Sequence, residues 1–147
     1  MLFTSKNTLP INKDNLRSIF LAGSMDHKQE HSWRDEIIGE FGSHHIFVSS
    51  HTQHDDLSNA ELKHHIMWEL EAMQQSDFIL LNFLKDSKSP ISLVELGLYV
   101  QSGKLIVVCP QEFYKHNYVH ILCEKYSTPI FNTLKEAKTL LKNSINL

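Results

Sequence analysis

The sequence predicts an α/β fold: a doubly wound parallel sheet of five strands in the order 2-1-3-4-5, with helices on both faces. Three observations carry this. Short apolar runs alternate along the chain with segments of helical periodicity. The runs are apolar almost throughout rather than at every second residue, which indicates burial on both faces and therefore parallel pairing. The helical segments between them supply the right-handed crossovers that parallel neighbours require. In this order strands 1 and 3 are neighbours and the chain leaves them in opposite directions. A ligand crevice is then expected at their carboxyl ends, lined by Gly23-Ser24 and the loop of residues 85–92.

Each element has a local signal. After a polar N-terminal arm, residues 1–18, the run Ser18-Ile-Phe-Leu-Ala22 stops at Gly23-Ser24 and reads as the first strand. From about Glu30 to Phe41, Trp33, Ile37, Ile38 and Phe41 recur at helical spacing, and Gly42 ends the helix. His45 to Ser49 is the second strand, followed by a polar stretch through Asp56 that reads as a long loop, a place where function often resides. Ser58 or Asn59 caps a helix to about Ser76, with Leu62, Ile66, Leu70 and Met73 expected as its buried stripe. Phe78 to Leu84 is the third strand. Ser89-Pro90 places an N-cap and a first-turn proline ahead of a helix that Gly103 closes. Lys104 to Cys109 is the fourth strand, stopped by Pro110. A helix from about Tyr118 to Tyr126, a strand at Pro129 to Phe131 and a helix from Leu134 to about Lys142 complete the chain. Residues 19–147 are expected to form one domain.

The bulk composition narrows the function. With 147 residues, 41% of them apolar, the chain has enough material for one full core. A formal net charge of −3 gives no general attraction to polymeric nucleic acid or to an anionic membrane, so small-molecule ligands fit better. The first 18 residues lack the apolar core of a signal peptide, and a cytoplasmic location is expected. Cys109 and Cys123 show no metal-type spacing and read as free thiols. His51, His54, Asp55 and Asp56 have metal-ligating chemistry, but with ten histidines in the chain chance clustering is the simpler account, and no metal or other cofactor is expected. Trp33 and Trp68 fit the apolar faces of their helices and read as core rather than as stacking platforms for a base.

The helix starting at Pro90 carries Ile91, Leu93, Val94, Leu96, Leu98, Tyr99 and Val100 around nearly its whole circumference, and is expected to be buried. Glu95 lies in its second turn. Burying an unpaired carboxylate costs several kcal/mol in general transfer estimates, so Glu95 is either a functional acid or a structural one paired with Lys or Arg. Proximity to a helix N-terminus favours its ionised form, and Gly97 leaves room for another backbone or a ligand to approach.

Six segments taken together carry a family resemblance: Ile19-Phe-Leu-Ala-Gly-Ser24, Trp33-Arg-Asp-Glu, Trp68-Glu-Leu, Ser76-Asp-Phe-Ile, and Ser89-Pro-Ile-Ser-Leu-Val-Glu-Leu-Gly97 followed by Gly103-Lys-Leu-Ile-Val-Val. Over about Ile19 to Ala137 the chain resembles the nucleoside 2-deoxyribosyltransferase superfamily, most closely its deoxyribosyltransferase-like branch, and is also similar to the nucleotide N-hydrolases of the same flavodoxin-like fold. The order and spacing of the motifs carry more weight than any one of them.

The resemblance implies cleavage of the N-glycosidic bond of a nucleoside or nucleoside 5′-monophosphate. A helix-borne glutamate attacks C1′ as the base departs, and water or a second base resolves the glycosyl ester. Glu95 matches that nucleophile, and a glutamate with its ordinary pKa of about 4.3 needs no activating base. Glu69 matches an acidic residue expected to orient the sugar or the nucleophile; without the resemblance it reads as a solvated helix carboxylate. Gly23 and Ser24 match the loop that receives the 5′-phosphate in the nucleotide hydrolases. Asp77 either contacts the site or serves the turn after its helix. Ser89 stands where free-nucleoside transferases carry aspartate and nucleotide hydrolases carry serine, which points to a phosphorylated substrate, although the same serine is a good helix cap. Ser92 is grouped with these as a binding residue. After the second strand the branch usually shows an Asn-Pro-Arg-like run where this chain has Ser49 to Asp56, which puts base recognition in doubt. Members usually build their sites across a homodimer or larger assembly, so self-association is expected. The alternative of another class is a nucleotide-binding sensor on the same scaffold that has lost the chemistry.

Overall fold

The computed structural model describes residues 1–10, 15–25, 32–49 and 57–147. The chain is α/β, and the described residues contain six strands, ordered β1-β3-β2-β4-β5-β6. They are β1 (Leu2–Thr4), β2 (Ser18–Gly23), β3 (His45–Val48), β4 (Phe78–Asn82), β5 (Leu105–Val108) and β6 (Ile130–Phe131). The helices are α1 (Trp33–Phe41), α2 (Asn59–Gln75), α3 (Pro90–Tyr99), α4 (His116–Lys125) and α5 (Leu134–Ile145). The chain divides into two compact units, Met1–Leu21 with His31–Asp77 and Ala22–Glu30 with Phe78–Leu147.

In the first unit β1 and β2 both pair in parallel with β3: Leu2 opposes Ile46 from one side and Ile19 opposes it from the other. The expected count of five strands is therefore corrected to six. The extra one lies in the segment expected as a polar arm, where only three residues at the sheet edge pair, too few to leave a periodic signal. Ile19, Phe20, Leu21, Ile37, Phe47 and Met73 are almost wholly buried and form the core of this unit. Both helices begin with a reciprocal capping box: Ser32 with Asp35 for α1, and Ser58 with Glu61 for α2.

The apolar stripe expected on α2 is also corrected. Its buried residues are His65, Trp68, Glu69, Ala72 and Met73, whereas Ile66 and Leu70 are exposed. Trp68 packs in the core and donates its indole N–H to the Asn7 carbonyl at 2.9 Å, and Trp33 is buried too. The expectation of tryptophans as core thus describes both residues.

In the second unit β4, β5 and β6 pair in parallel, Leu81 opposite Val107 and Val107 opposite Ile130. Their buried residues, with Phe83, Phe113, Val119, Ala137 and Leu141, make its core. Thr133 caps α5 by accepting from the Glu136 N–H. Helix α3 departs from expectation: Ser92, Glu95 and Leu96 are buried, but Ile91, Val94 and Leu98 are each more than half exposed. Apolar composition all round does not bury a helix that only one face of the unit contacts. Among the described residues no helix is long and apolar enough to cross a membrane.

Candidate active site

Gly23 ends β2 with φ +124°, and a Cβ built on it would stand 2.1 Å from the Asn82 carbonyl oxygen. Only glycine allows that conformation and that approach. The next residue, Ser24, donates its backbone N–H to the same oxygen at 2.9 Å, so the backbone at Ser24 is held to the end of β4.

Ser24 Oγ then lies 2.6 Å from both Ser87 Oγ and Ser89 Oγ, and those two are 2.9 Å apart. Leu84 donates its N–H to Ser24 Oγ, and Ser87 Oγ donates to the Leu84 carbonyl. Three hydroxyls therefore form a closed triangle at the start of α3. Ser89 occupies the N-cap position, as expected, but its side chain makes no cap hydrogen bond. Its φ of +48° is left-handed, rare for a residue with a Cβ, and its hydroxyl belongs to the triangle rather than to the helix end. The helix-cap role expected for the Ser89 side chain is thus corrected. Ser87 was not singled out from sequence, because no spacing rule shows that the turn at Ser89 brings it back to Ser24.

Six residues beyond Ser89, Glu95 is 8% exposed, and Ser92, between them on α3, is 5% exposed. Burial, and after it the charge of Glu95, raises the Tyr99 phenol above its ordinary value of 10.0. The Glu95 charge is thus felt one turn further along α3. Gly97, expected to admit a close approach, faces open space: a Cβ there would meet nothing within 4 Å.

Glu69 lies in the first unit. Its Oε1 accepts from Ser49 Oγ at 2.5 Å and lies 2.8 Å from His65 Nε2, while His65 Nδ1 lies 2.9 Å from Ser5 Oγ. All but the half-buried Ser49 are buried. A carboxylate only accepts, so Nε2 carries the hydrogen, and the chain Ser5–His65–Glu69–Ser49 holds the carboxylate in one orientation. A solvated helix carboxylate, the reading Glu69 has without the resemblance, does not describe it. Ser5, His65 and Ser49 were not singled out from the sequence; they meet only because β1 and the end of β3 flank this face of α2.

Asp77 has a staple's hydrogen bonds. Its Oδ2 accepts from the Ser18 N–H at 2.8 Å and from Ser18 Oγ at 3.2 Å, and its own N–H donates back to Ser18. Ser18 begins β2, so these bonds lie at the amino end of that strand and are those of the turn role. A hollow lined by Pro10, Leu16, Ser18, His45, Phe47 and Gln75 contains none of the residues expected to bind substrate. His51, His54, Asp55 and Asp56, whose clustering reads as chance rather than as a metal site, lie outside the described residues.

Both cysteines are free and buried. Burial, with the nearby Cys123 behind it, pushes the Cys109 thiol up to about 12, and burial pushes Cys123 up to about 11. Neither is an available nucleophile near neutral pH.

Residues 16–113 match the family described as nucleoside 2-deoxyribosyltransferase like. No curated protein matches the chain. The matched segment covers more than half of the sequence and includes Gly23, Ser24, Glu69, Asp77, the serine triangle, Ser92 and Glu95. The chain belongs to the nucleoside 2-deoxyribosyltransferase-like family.

Proposed function

We propose that this protein cleaves the N-glycosidic bond of a nucleoside 5′-monophosphate, with Glu95 as nucleophile and water as the final acceptor of the sugar. The observation that carries the reading is the Ser24–Ser87–Ser89 hydroxyl triangle at the start of the helix that bears a buried Glu95. Neutral hydroxyls at a helix N-terminus suit a phosphate. Six residues of helix span about 9 Å along its axis. That separation suits a sugar lying between an anion site and the reacting carbon.

In the proposed reaction a carboxylate oxygen of Glu95 attacks C1′ as the bond to the base breaks, and the electron pair of that bond leaves with the base. Water then attacks the glycosyl ester, releasing the sugar phosphate and restoring the carboxylate. Ser92 is proposed to support the site from the same helix. Glu69, whose carboxylate is held by Ser49 and His65 within the first unit, is the residue to which the resemblance gives an orienting part. The exposed apolar residues of α3 support self-association of the chain. Transfer to a second base, or action on a free nucleoside, is the same chemistry with a different acceptor or a weaker anchor.

The test is to incubate the protein with a panel of nucleosides and 5′-monophosphates and to follow free base by chromatography. Glu95→Gln keeps size and hydrogen bonding but loses the nucleophilic charge, so base release stops while the fold is retained. Retention of about a tenth of turnover or more removes Glu95 as nucleophile. Tight nucleotide binding without turnover in the wild type favours a sensor instead.

A further inference from the structure

Cys109, directly after β5, and His116 and His120, one turn apart on α4, each offer one ligand atom, and these atoms lie within 4.8 Å of one another. The local sequence explains the meeting. Pro110 stops the strand after Cys109, a short turn returns the chain at His116 as the first residue of α4, and the i, i+4 spacing puts both imidazoles on one helix face. Their ring centroids are 3.9 Å apart.

Each ring is tethered through one nitrogen to a backbone carbonyl. His116 Nδ1 lies 3.1 Å from the Pro110 oxygen, and His120 Nε2 lies 3.1 Å from the Cys109 oxygen. A carbonyl only accepts, so these nitrogens carry the hydrogens, and the lone pairs of the neutral rings are on His116 Nε2 and His120 Nδ1. Metal-binding histidines are oriented in this way, one nitrogen donating to a carbonyl and the other facing the ion.

We propose that Cys109, His116 and His120 form a binding site for a divalent cation of the zinc class, with the fourth position held by solvent. One sulfur and two imidazole nitrogens select a borderline-soft ion over magnesium or calcium, which prefer oxygen. Tetrahedral zinc with ordinary bond lengths sets its ligand atoms about 3.3 to 3.6 Å apart, so the cluster closes by roughly an ångström around the ion. Cys109 is buried while both histidines are half-buried, so the cation enters from the histidine side. On binding, the thiol proton passes to solvent and a sulfur–metal bond forms, with no change of oxidation state. The ion then joins the end of β5 to the start of α4. This site is separate in its residues from the proposed reaction, and neither reading depends on the other.

The untagged, full-length, metal-free protein is titrated with Co2+ and then with Zn2+. The expected result is one Co2+ per chain, with thiolate-to-cobalt charge-transfer absorption and tetrahedral d–d bands, both lost when Zn2+ displaces the cobalt. Cys109→Ser loses the charge-transfer band, and His116→Gln or His120→Ala weakens Zn2+ binding by about a hundredfold or more. If the buried Cys109→Ser variant does not fold, the half-buried histidine variants decide the matter. Ten histidines give the chain other places for a cation, which the sulfur band separates from this one. Failure to bind, cobalt binding without the charge-transfer band, or an unchanged band and affinity in His120→Ala overturns the proposal.

Discussion

The hydroxyls of Ser24 and Ser89, separated by 65 positions in the chain, lie 2.6 Å apart, and Ser87 closes the triangle. Serine at position 89 is thereby explained without helix capping, because its left-handed backbone turns the hydroxyl away from the helix end. A polar cluster of three neutral groups at this place carries no charge that repels an anion.

Ser89→Asp is accordingly expected to reverse a preference for the monophosphate. A carboxylate beside Ser24 and Ser87 repels phosphate and removes a donor. Loss of two charge-assisted hydrogen bonds, each worth roughly 1.5 to 3 kcal/mol, lowers kcat/KM for the monophosphate by about a hundredfold or more. Rates for a nucleoside and its monophosphate, compared in wild type and variant, check this. Equal rates in the wild type, or an unaltered preference in the variant, show that the triangle is structural only.

Gly23→Ala is expected to destabilise the protein strongly, although it adds one methyl group. The new Cβ meets the Asn82 carbonyl at 2.1 Å in a backbone conformation of φ +124°. Strain of that kind together with overpacking costs roughly 2 to 5 kcal/mol. Urea unfolding measures it, and a change below about 0.5 kcal/mol, the usual surface value, contradicts the close approach. Gly97→Ala, where the Cβ meets nothing within 4 Å, is the control and is expected to be tolerated.

Much of the fold was legible because the buried strands are short, continuous apolar runs bounded by Gly, Pro and polar clusters. Strand β1 was not, since Leu2-Phe3-Thr4 is too short to show a pattern and gains its place only by pairing with β3. Hydropathy points to Leu62, Ile66, Leu70 and Met73 as the inner face of α2, and of these Met73 is buried. The observed face instead buries His65 and Glu69, which satisfy each other's polar atoms and so enter the interior at lower cost than either alone. Glu95 was read as buried for an incomplete reason: α3 covers it while leaving one apolar face open. Ser24 and Ser89 were legible as candidates, but their contact depends on a positive φ at a non-glycine residue, which no propensity announces. The Cys109–His116–His120 cluster has no cysteine-to-cysteine spacing to mark it, and the i, i+4 histidine pair after Pro110 is its signal in the sequence.

The open face of α3 leads to a prediction about assembly. Ile91, Val94 and Leu98 are 58%, 59% and 58% exposed, at helical spacing, and Gly97 beside them has no side chain to hold a second backbone away. Contiguous exposed apolar surface of this kind marks an interaction site more often than a free surface. Val94→Lys combined with Leu98→Asp is expected to shift the protein to monomers in light scattering, with secondary structure retained. A wild type that is monomeric at high concentration, or a variant with unchanged mass, excludes this face as a self-association surface.

The last prediction concerns Tyr99 and the charge of Glu95. The phenol is raised above 10.0, first by burial and second by the negative charge of Glu95, so both causes favour the protonated form in the folded state. The contribution of Tyr99 to stability is then fully present below about pH 10, the unfolded value, and is lost as pH rises through the higher folded value. In wild type minus Tyr99→Phe difference titrations, phenolate absorbance attributable to Tyr99 should appear above pH 10. Glu95→Gln removes the second cause and leaves the first, so the midpoint should move down toward 10.0 without falling below it. A midpoint unmoved by Glu95→Gln shows that the carboxylate exerts no charge on Tyr99. An upward shift has the wrong sign and is equally incompatible. The experiment reads the coupling between Glu95 and Tyr99 with no substrate present, so it holds whichever base and sugar the protein accepts.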